Sequence, residues 1–182
     1  VDGMDLAGMS AGDLARLRLN RVGFVFQAYN LVPVLSAYEN AEFVMLMQHV
    51  APAERKKRLD AIFRQVGLEG MERRRPAELS GGQQQRVAVA RAVAAQPALV
   101  LADEPTANLD SATGSALLDM MRDLNETKGV TFIFSTHDQR VMDRAKRLIV
   151  LKDGMIAEDN KVNGGGGGGA ALELGDEEES AA

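Results

Sequence analysis

Leu79-Ser80-Gly81-Gly82-Gln83-Gln84-Gln85-Arg86-Val87-Ala88-Val89-Ala90-Arg91, followed by Ala98-Leu99-Val100-Leu101-Ala102-Asp103-Glu104, decides how this chain is read. Ser80 with Gln83 three residues later forms a capping box, in which each side chain satisfies a backbone donor of the first helical turn. Gly81 and Gly82 lack the β-carbons that would keep a backbone away from a ligand. A helix start offers free N–H groups and a positive dipole end, so the segment is a candidate anion site, phosphate above all. The same residues also fit an ordinary capped helix after a flexible turn. That helix stops before Pro97, because the residue preceding a proline disfavours helical geometry. Ala98 to Ala102 is a short apolar run that reads as a fully buried strand, ending in two acids.

Working outward, the same alternation recurs. Val1 to Met4 reads as the end of a strand and its turn. Ser10 caps a short helix carrying Leu14 and Leu17, and Val22 to Phe26 reads as a buried strand ending at Gln27. Tyr38 to Val50 is helical, with Phe43, Val44 and Met47, until Pro52 interrupts it. A second helix places Leu59, Ile62, Phe63 and Val66 on one face, with Gly67 at its C-terminal end. Its other face carries the basic run Arg55 to Arg58, expected to be solvated. Downstream, Ser111 is expected to cap a helix bearing Leu117, Leu118, Met121 and Leu124. Val130 to Phe134 then reads as a strand ending at His137, and Asp138 caps a short helix. Asp153-Gly154, between Leu148–Leu151 and Met155–Ala157, is a two-residue hairpin signal.

Buried strands alternating with helices predict an α/β fold: a mostly parallel sheet with helices on both faces. Residues 38–78 interrupt the alternation and read as an inserted helical subdomain. Residues 1–162 form the domain, and 163–182, with six consecutive glycines and an acidic end, are expected to be a flexible tail.

Composition narrows the classes of function. The chain has 182 residues, 46% of them apolar, enough for one domain with its own core. It has no cysteine and only two histidines, His49 and His137, which excludes thiolate metal sites and argues against a multi-histidine centre. No apolar run reaches the roughly 18 residues needed to span a bilayer, so a membrane connection is expected to come through a partner. The net charge of −5 comes from the end of the chain. Setting aside Glu173, Asp176, Glu177, Glu178 and Glu179 leaves 21 acids against 21 Lys and Arg. That neutral balance gives no sign of a nucleic-acid partner.

In parallel sheets, functional residues gather beyond the carboxyl ends of the strands. Gln27, Asp103-Glu104 and His137 all fall there. Adjacent acids after an apolar strand are costly unless used or paired. Asp103 suits a magnesium ion, directly or through water, and Glu104 suits polarisation of a water attacking a γ-phosphate. Both could equally cap the next segment, and His137 or Gln27 taken singly fits a structural role as well.

Together and in order, these motifs resemble the nucleotide-binding domain of ATP-binding cassette (ABC) proteins, over roughly residues 1–160. Leu79 to Gln83 matches the family's signature motif, and Leu99 to Glu104 its second acidic motif, with Glu104 as the catalytic carboxylate. Phe26-Gln27-Ala28 is similar to the glutamine loop, Asn108-Leu109-Asp110 to the loop after the acidic motif, and His137 to the switch histidine. The resemblance implies a P-loop NTPase-type fold and head-to-tail pairs, as homodimers, with ATP clamped between the phosphate loop of one copy and the signature of the other. Ser80, Gly81, Gly82 and Gln83 would then bind a nucleotide held mainly by the partner. Gln27 would touch Mg2+ and the attacking water, and Asp103 would also hold the metal. His137 would stabilise charge at the γ-phosphate, and Asp110 would tie the half-sites together. Integral membrane permease subunits and the cytoplasmic face of the inner membrane are implied as well. The wording Ala102 to Asp110 is most similar to the bacterial lipoprotein-releasing and macrolide-export ATPase group.

The sequence departs from the family pattern in one respect. None of its six lysines lies in a Gly-x4-Gly-Lys-Ser/Thr loop, the motif that cradles the β- and γ-phosphates. The expectation is an N-terminally truncated cassette, missing the first strand and phosphate loop, with little ATPase activity by itself. The alternatives are an ABC-type ATPase without a transport role and a non-hydrolysing regulatory module.

Overall fold

The computed structural model describes residues 1–161, so the expected tail at 163–182 lies outside the described residues. Two compact units divide the chain, Val1–Val141 and a second beginning at Met142.

In the first unit the elements run α1 (Ala11–Arg21), β1 (Val22–Val25), α2 (Ala37–Met47), α3 (Pro52–Gln65), a 3-10 turn (Pro76–Glu78), α4 (Gly81–Ala94), β2 (Leu99–Asp103), α5 (Ser111–Lys128) and β3 (Thr131–Ser135). The short α6 (Gln139–Met142) follows β3. Local chemistry sets the helix starts. Ser10, Ser36 and Ser80 each accept the backbone N–H three residues on, and the last two complete capping boxes with Glu39 and Gln83. Pro52, expected to interrupt, in fact starts α3, where its missing N–H costs nothing. The cap of α5 is Asp110 rather than Ser111: its carboxylate accepts from the N–H groups of Ala112 and Thr113. Gly129, at φ 69°, ends α5 in the left-handed conformation that glycine adopts without strain.

The three strands form a parallel sheet in the order β1-β2-β3, with Val25 opposite Ala102 and Asp103 opposite Ser135. Gly23, Val25, Val100 and Ala102 are buried, and α4 approaches β1 so closely that a β-carbon on Gly23 would lie 2.9 Å from the Ala92 carbonyl oxygen. On the alternate positions Phe24, Leu99 and Leu101 are half-buried and Ile133 is 52% exposed. β2 is therefore covered at every second residue, not fully buried as its sequence suggests.

One apolar cluster runs from Val25, Val100 and Ala102 of the sheet, through Val87, Val89 and Val93 of α4, to Ala41, Met45, Leu59 and Phe63 of α2 and α3. Helices α2 and α3 thus share the core of the sheet through α4. The inner face of α2 is Ala37, Asn40, Ala41 and Met45, while Phe43 and Met47 are 48% and 54% exposed. Small side chains let α2 lie close on the alanine-rich α4, and the bulky ones are left outside.

The second unit contains the antiparallel pair β4 (Arg147–Lys152) and β5 (Met155–Lys161). Asp153 and Gly154 both have positive φ, the geometry of the two-residue turn that their sequence predicts.

Candidate active site at the strand ends

Glu104 follows β2 directly, and its backbone departs from the ordinary regions at φ 41°. Such a conformation costs a non-glycine residue about 1–3 kcal/mol and persists only where surrounding bonds over-determine it. Here they do. The Glu104 N–H donates to the Ser135 carbonyl (2.9 Å), and its carboxylate accepts from Thr136 Oγ1 (2.9 Å), the His137 N–H (3.0 Å) and His137 Nδ1 (2.7 Å). The parallel pairing of Asp103 with Ser135 places these two loops side by side.

Burial pushes the Glu104 carboxyl up, but the hydrogen bonds from Thr136 and His137 outweigh it and hold the group below its ordinary value. Glu104 is therefore ionised at neutral pH. Its three donors occupy three of about four lone-pair directions, leaving one on Oε2 for a water. With a carboxylate as partner, Nδ1 of His137 acts as the donor, and Nε2 is the open edge of a ring whose side chain is 88% exposed.

The other strand-end residues lie along the same edge of the sheet. Gln27 and Asp103 are both exposed. The Gln27 carbonyl accepts from Asn108 Nδ2 (3.0 Å), joining the loop after β1 to the loop after β2. Asp110 is committed to α5: the Thr113 hydroxyl (2.6 Å to Oδ2) and then the Thr113 and Ala112 N–H groups hold its carboxyl below the usual range. Asp110→Ala should lower stability through loss of this cap, read as a lower denaturant midpoint with an unchanged slope.

Ser80 is exposed, and Gly81, Gly82 and Gln83 are half-buried. Ser80 and Gln83 are bonded to each other by the capping box (2.9 and 3.3 Å). The glycines have a packing reason that the sequence does not show. A β-carbon on Gly81 would lie 2.9 Å from the Tyr29 hydroxyl, and one on Gly82 would lie 2.5 Å from Thr113 Cγ2. The N-terminus of α4 therefore sits against the loop after Gln27 and against the first turn of α5. Gln27, Glu104 and His137 thus gather at the strand ends, while the capped glycine helix presents its end beside Tyr29 and Thr113.

Four further residues hold these loops; sequence reading gave Asp138 as a cap only and gave the other three no such role. Arg91, on α4, donates through Nη2 to the Tyr29 carbonyl (2.9 Å) and through Nη1 to that of Asn30. Asn40, buried on α2, accepts from the Val32 N–H and donates to the carbonyls of Val32, Leu35 and Ser36. Gln85, fully buried, donates to the Pro105 carbonyl next to Glu104 (2.9 Å). Asp138, already read as a cap, also accepts from Thr106 Oγ1 (2.8 Å). The hydrogen bonds of the Arg140 guanidinium hold its carboxyl far below the usual carboxylate range, with Thr106 adding to them against the opposing effect of burial.

Among the described residues no group of three or more His, Cys, Asp or Glu could hold a metal ion. The oxygen donors of Asp103 and Gln27 nonetheless fit Mg2+, which keeps several waters and binds through one or two protein oxygens plus phosphates.

Known proteins of the same family resemble this chain in sequence and fold. The family model described as "ABC transporter" matches residues 2–107. The lipoprotein-releasing system ATP-binding protein LolD of Anaeromyxobacter dehalogenans is 43% identical over 160 residues, covering 87% of this chain and 67% of LolD. The macrolide export ATP-binding/permease protein MacB of Escherichia coli is 44% identical over 160 residues, covering 88% of this chain and 25% of MacB. The dimeric post-hydrolysis structure of the ATP-binding cassette MJ0796 bound to ADP and Pi superposes with a TM-score of 0.78 at 39% identity, covering 90% of this chain and 72% of that one. With its glycine helix, acidic strand end and histidine loop set on a fold shared with a solved cassette, this chain belongs to the ABC transporter family.

Proposed function

We propose that this chain supplies the signature helix and the catalytic carboxylate of an ATP-hydrolysing subunit, which drives a bacterial membrane transporter or extrusion complex. The observation that carries the reading is Glu104, ionised and held in a strained backbone by Thr136 and His137, with one lone pair left on Oε2. Glu104 orients a water and takes its proton as the water attacks the γ-phosphate. His137, fixed through Nδ1, turns Nε2 toward the phosphate oxygens. Asp103 and Gln27 would hold Mg2+, which supplies neutralising charge at the phosphates when bound. Ser80 to Gln83 offer the N–H groups and hydroxyl at the start of α4 to a nucleotide carried by a second copy.

No helix among the described residues is long and apolar enough to cross a membrane. We assign attachment to the membrane to a permease part, as in the name of the ATP-binding/permease relative MacB. Phe43, Leu46 and Met47 are exposed on α2 at spacings of three and four residues, and so share one side of the helix. This stripe is the docking face for a cytoplasmic helix of the permease. Joining the chain to the phosphate-loop segment of a relative such as MJ0796 tests the reading. The joined cassette should hydrolyse ATP in a Mg2+-dependent way, and absence of turnover would contradict the proposal. In the same cassette, Phe43→Ser with Met47→Ser should leave basal turnover unchanged. Stimulation by the permease in reconstituted vesicles should fall about 10-fold or more, as expected for loss of interface anchors.

A further inference from the structure

Thr106 lies in the loop between β2 and α5, yet it is only 1% exposed. Its hydroxyl donates to Asp138 Oδ2 (2.8 Å). Arg140 grips the same carboxylate, with Nη2 at 2.6 Å from Oδ2, Nε at 3.0 Å from Oδ1 and its backbone N–H at 2.9 Å from Oδ1. The Asp138 N–H in turn donates to Thr136 Oγ1 (3.0 Å), and that hydroxyl donates to Glu104 Oε2 (2.9 Å). The bonds form one directed chain from Thr106, through Asp138 and Thr136, to the carboxylate of Glu104. The loop bearing Glu104 and Asp110 is thus stitched to the loop bearing His137 at two places, Glu104 and Thr106.

Arg140 extends the connection to α5. A β-carbon on Gly114 would lie 3.4 Å from Arg140 Nη1 and 3.6 Å from Thr106 Cβ. The first turns of α5, capped by Asp110, therefore pack against both partners of Asp138.

We infer that Thr106 and Asp138 are positioning residues, which hold the Glu104–His137 pair in register with the segment that carries Asp110. Neither Thr106 nor Asp138 touches the substrate; each acts through Glu104 and His137. The inference rests on the reading of Glu104 as the carboxylate that orients the attacking water.

Thr106→Val tests it, because valine keeps the shape of threonine and puts a methyl, which cannot donate to Asp138, in place of the hydroxyl. In the cassette joined to a phosphate-loop segment, kcat should fall about 10-fold while KM for ATP changes by less than about 2-fold, since positioning is lost and binding is not. Thr106→Ser keeps the hydroxyl and should retain the parent kcat. In NMR spectra of the 182-residue chain, Thr106→Val should shift the His137 ring resonances and Thr106→Ser should not. Parent-like kcat with unshifted His137 resonances and only a lower Tm would mean that Thr106 merely packs, and would overturn the inference. A joined parent cassette that hydrolyses no ATP overturns the functional reading instead. The His137 resonances then decide the coupling alone: a shift in Thr106→Val sustains it, and superimposable spectra overturn it.

Discussion

Glu104→Gln in a cassette carrying a phosphate loop is expected to lower ATP turnover by at least about 10²-fold, while ATP-promoted pairing of subunits persists. Glutamine has the size of glutamate; its one oxygen can still accept from the His137 N–H and Nδ1, which both meet Oε1, while its NH2 faces the Thr136 hydroxyl that donates to Oε2 in the parent. It carries no charge and cannot take the proton of an attacking water. The loss should therefore fall on kcat, with binding largely preserved. Phosphate release measured beside sedimentation with and without ATP separates the two effects. Unchanged turnover would remove Glu104 from the role of base.

Gly82→Ala is expected to reduce stability by about 1–3 kcal/mol, the range for forcing an extra group into a packed contact. The new β-carbon would lie 2.5 Å from Thr113 Cγ2. Thr113 cannot simply rotate away, because its hydroxyl is bonded to Asp110 Oδ2 at 2.6 Å. Alanine's advantage over glycine in a helix, about 1 kcal/mol in the interior, is smaller in the first turn and does not offset the collision. Thr113→Ser removes Cγ2 and keeps the hydroxyl, so adding it should restore the Tm of Gly82→Ala. It should not restore turnover, because the added methyl still stands where the backbone meets a nucleotide. Recovery of both stability and turnover would show that Gly82 serves packing alone.

What the sequence disclosed, and what it hid, follows from the range of the interactions. The Ser80–Gln83 box spans three residues, and the Asp153-Gly154 turn needs only two positive φ angles, so both are legible in a local pattern. Gln27, Asp103, Glu104 and His137 stood out because polar residues close apolar runs, and the parallel register sets those ends side by side. Arg91 reaches Tyr29 across 62 positions, Gln85 reaches Pro105 across 20 and Thr106 reaches Asp138 across 32. No local pattern reports a bond of that span. The inner face of α2 was hidden for a different reason. Amphipathic patterning expects large apolar residues inside, but close approach to α4 selects Ala37, Asn40 and Ala41 instead. Gly81 and Gly82 were legible as places of close approach. That Tyr29 and Thr113 of the same chain approach them required the fold.

The most direct test of the central claim, that Ser80–Gln83 of one copy and Glu104 of another serve the same nucleotide, is complementation between two inactive cassettes. One carries Glu104→Gln and the other Ser80→Arg, each joined to a phosphate-loop segment and each inactive alone. In a head-to-tail pair, every mixed dimer keeps one site with both residues intact. Random pairing of equal amounts should then restore about a quarter of the parent turnover. A mixture as inactive as its components would contradict the account, because the signature and the carboxylate would then have to act from the same copy.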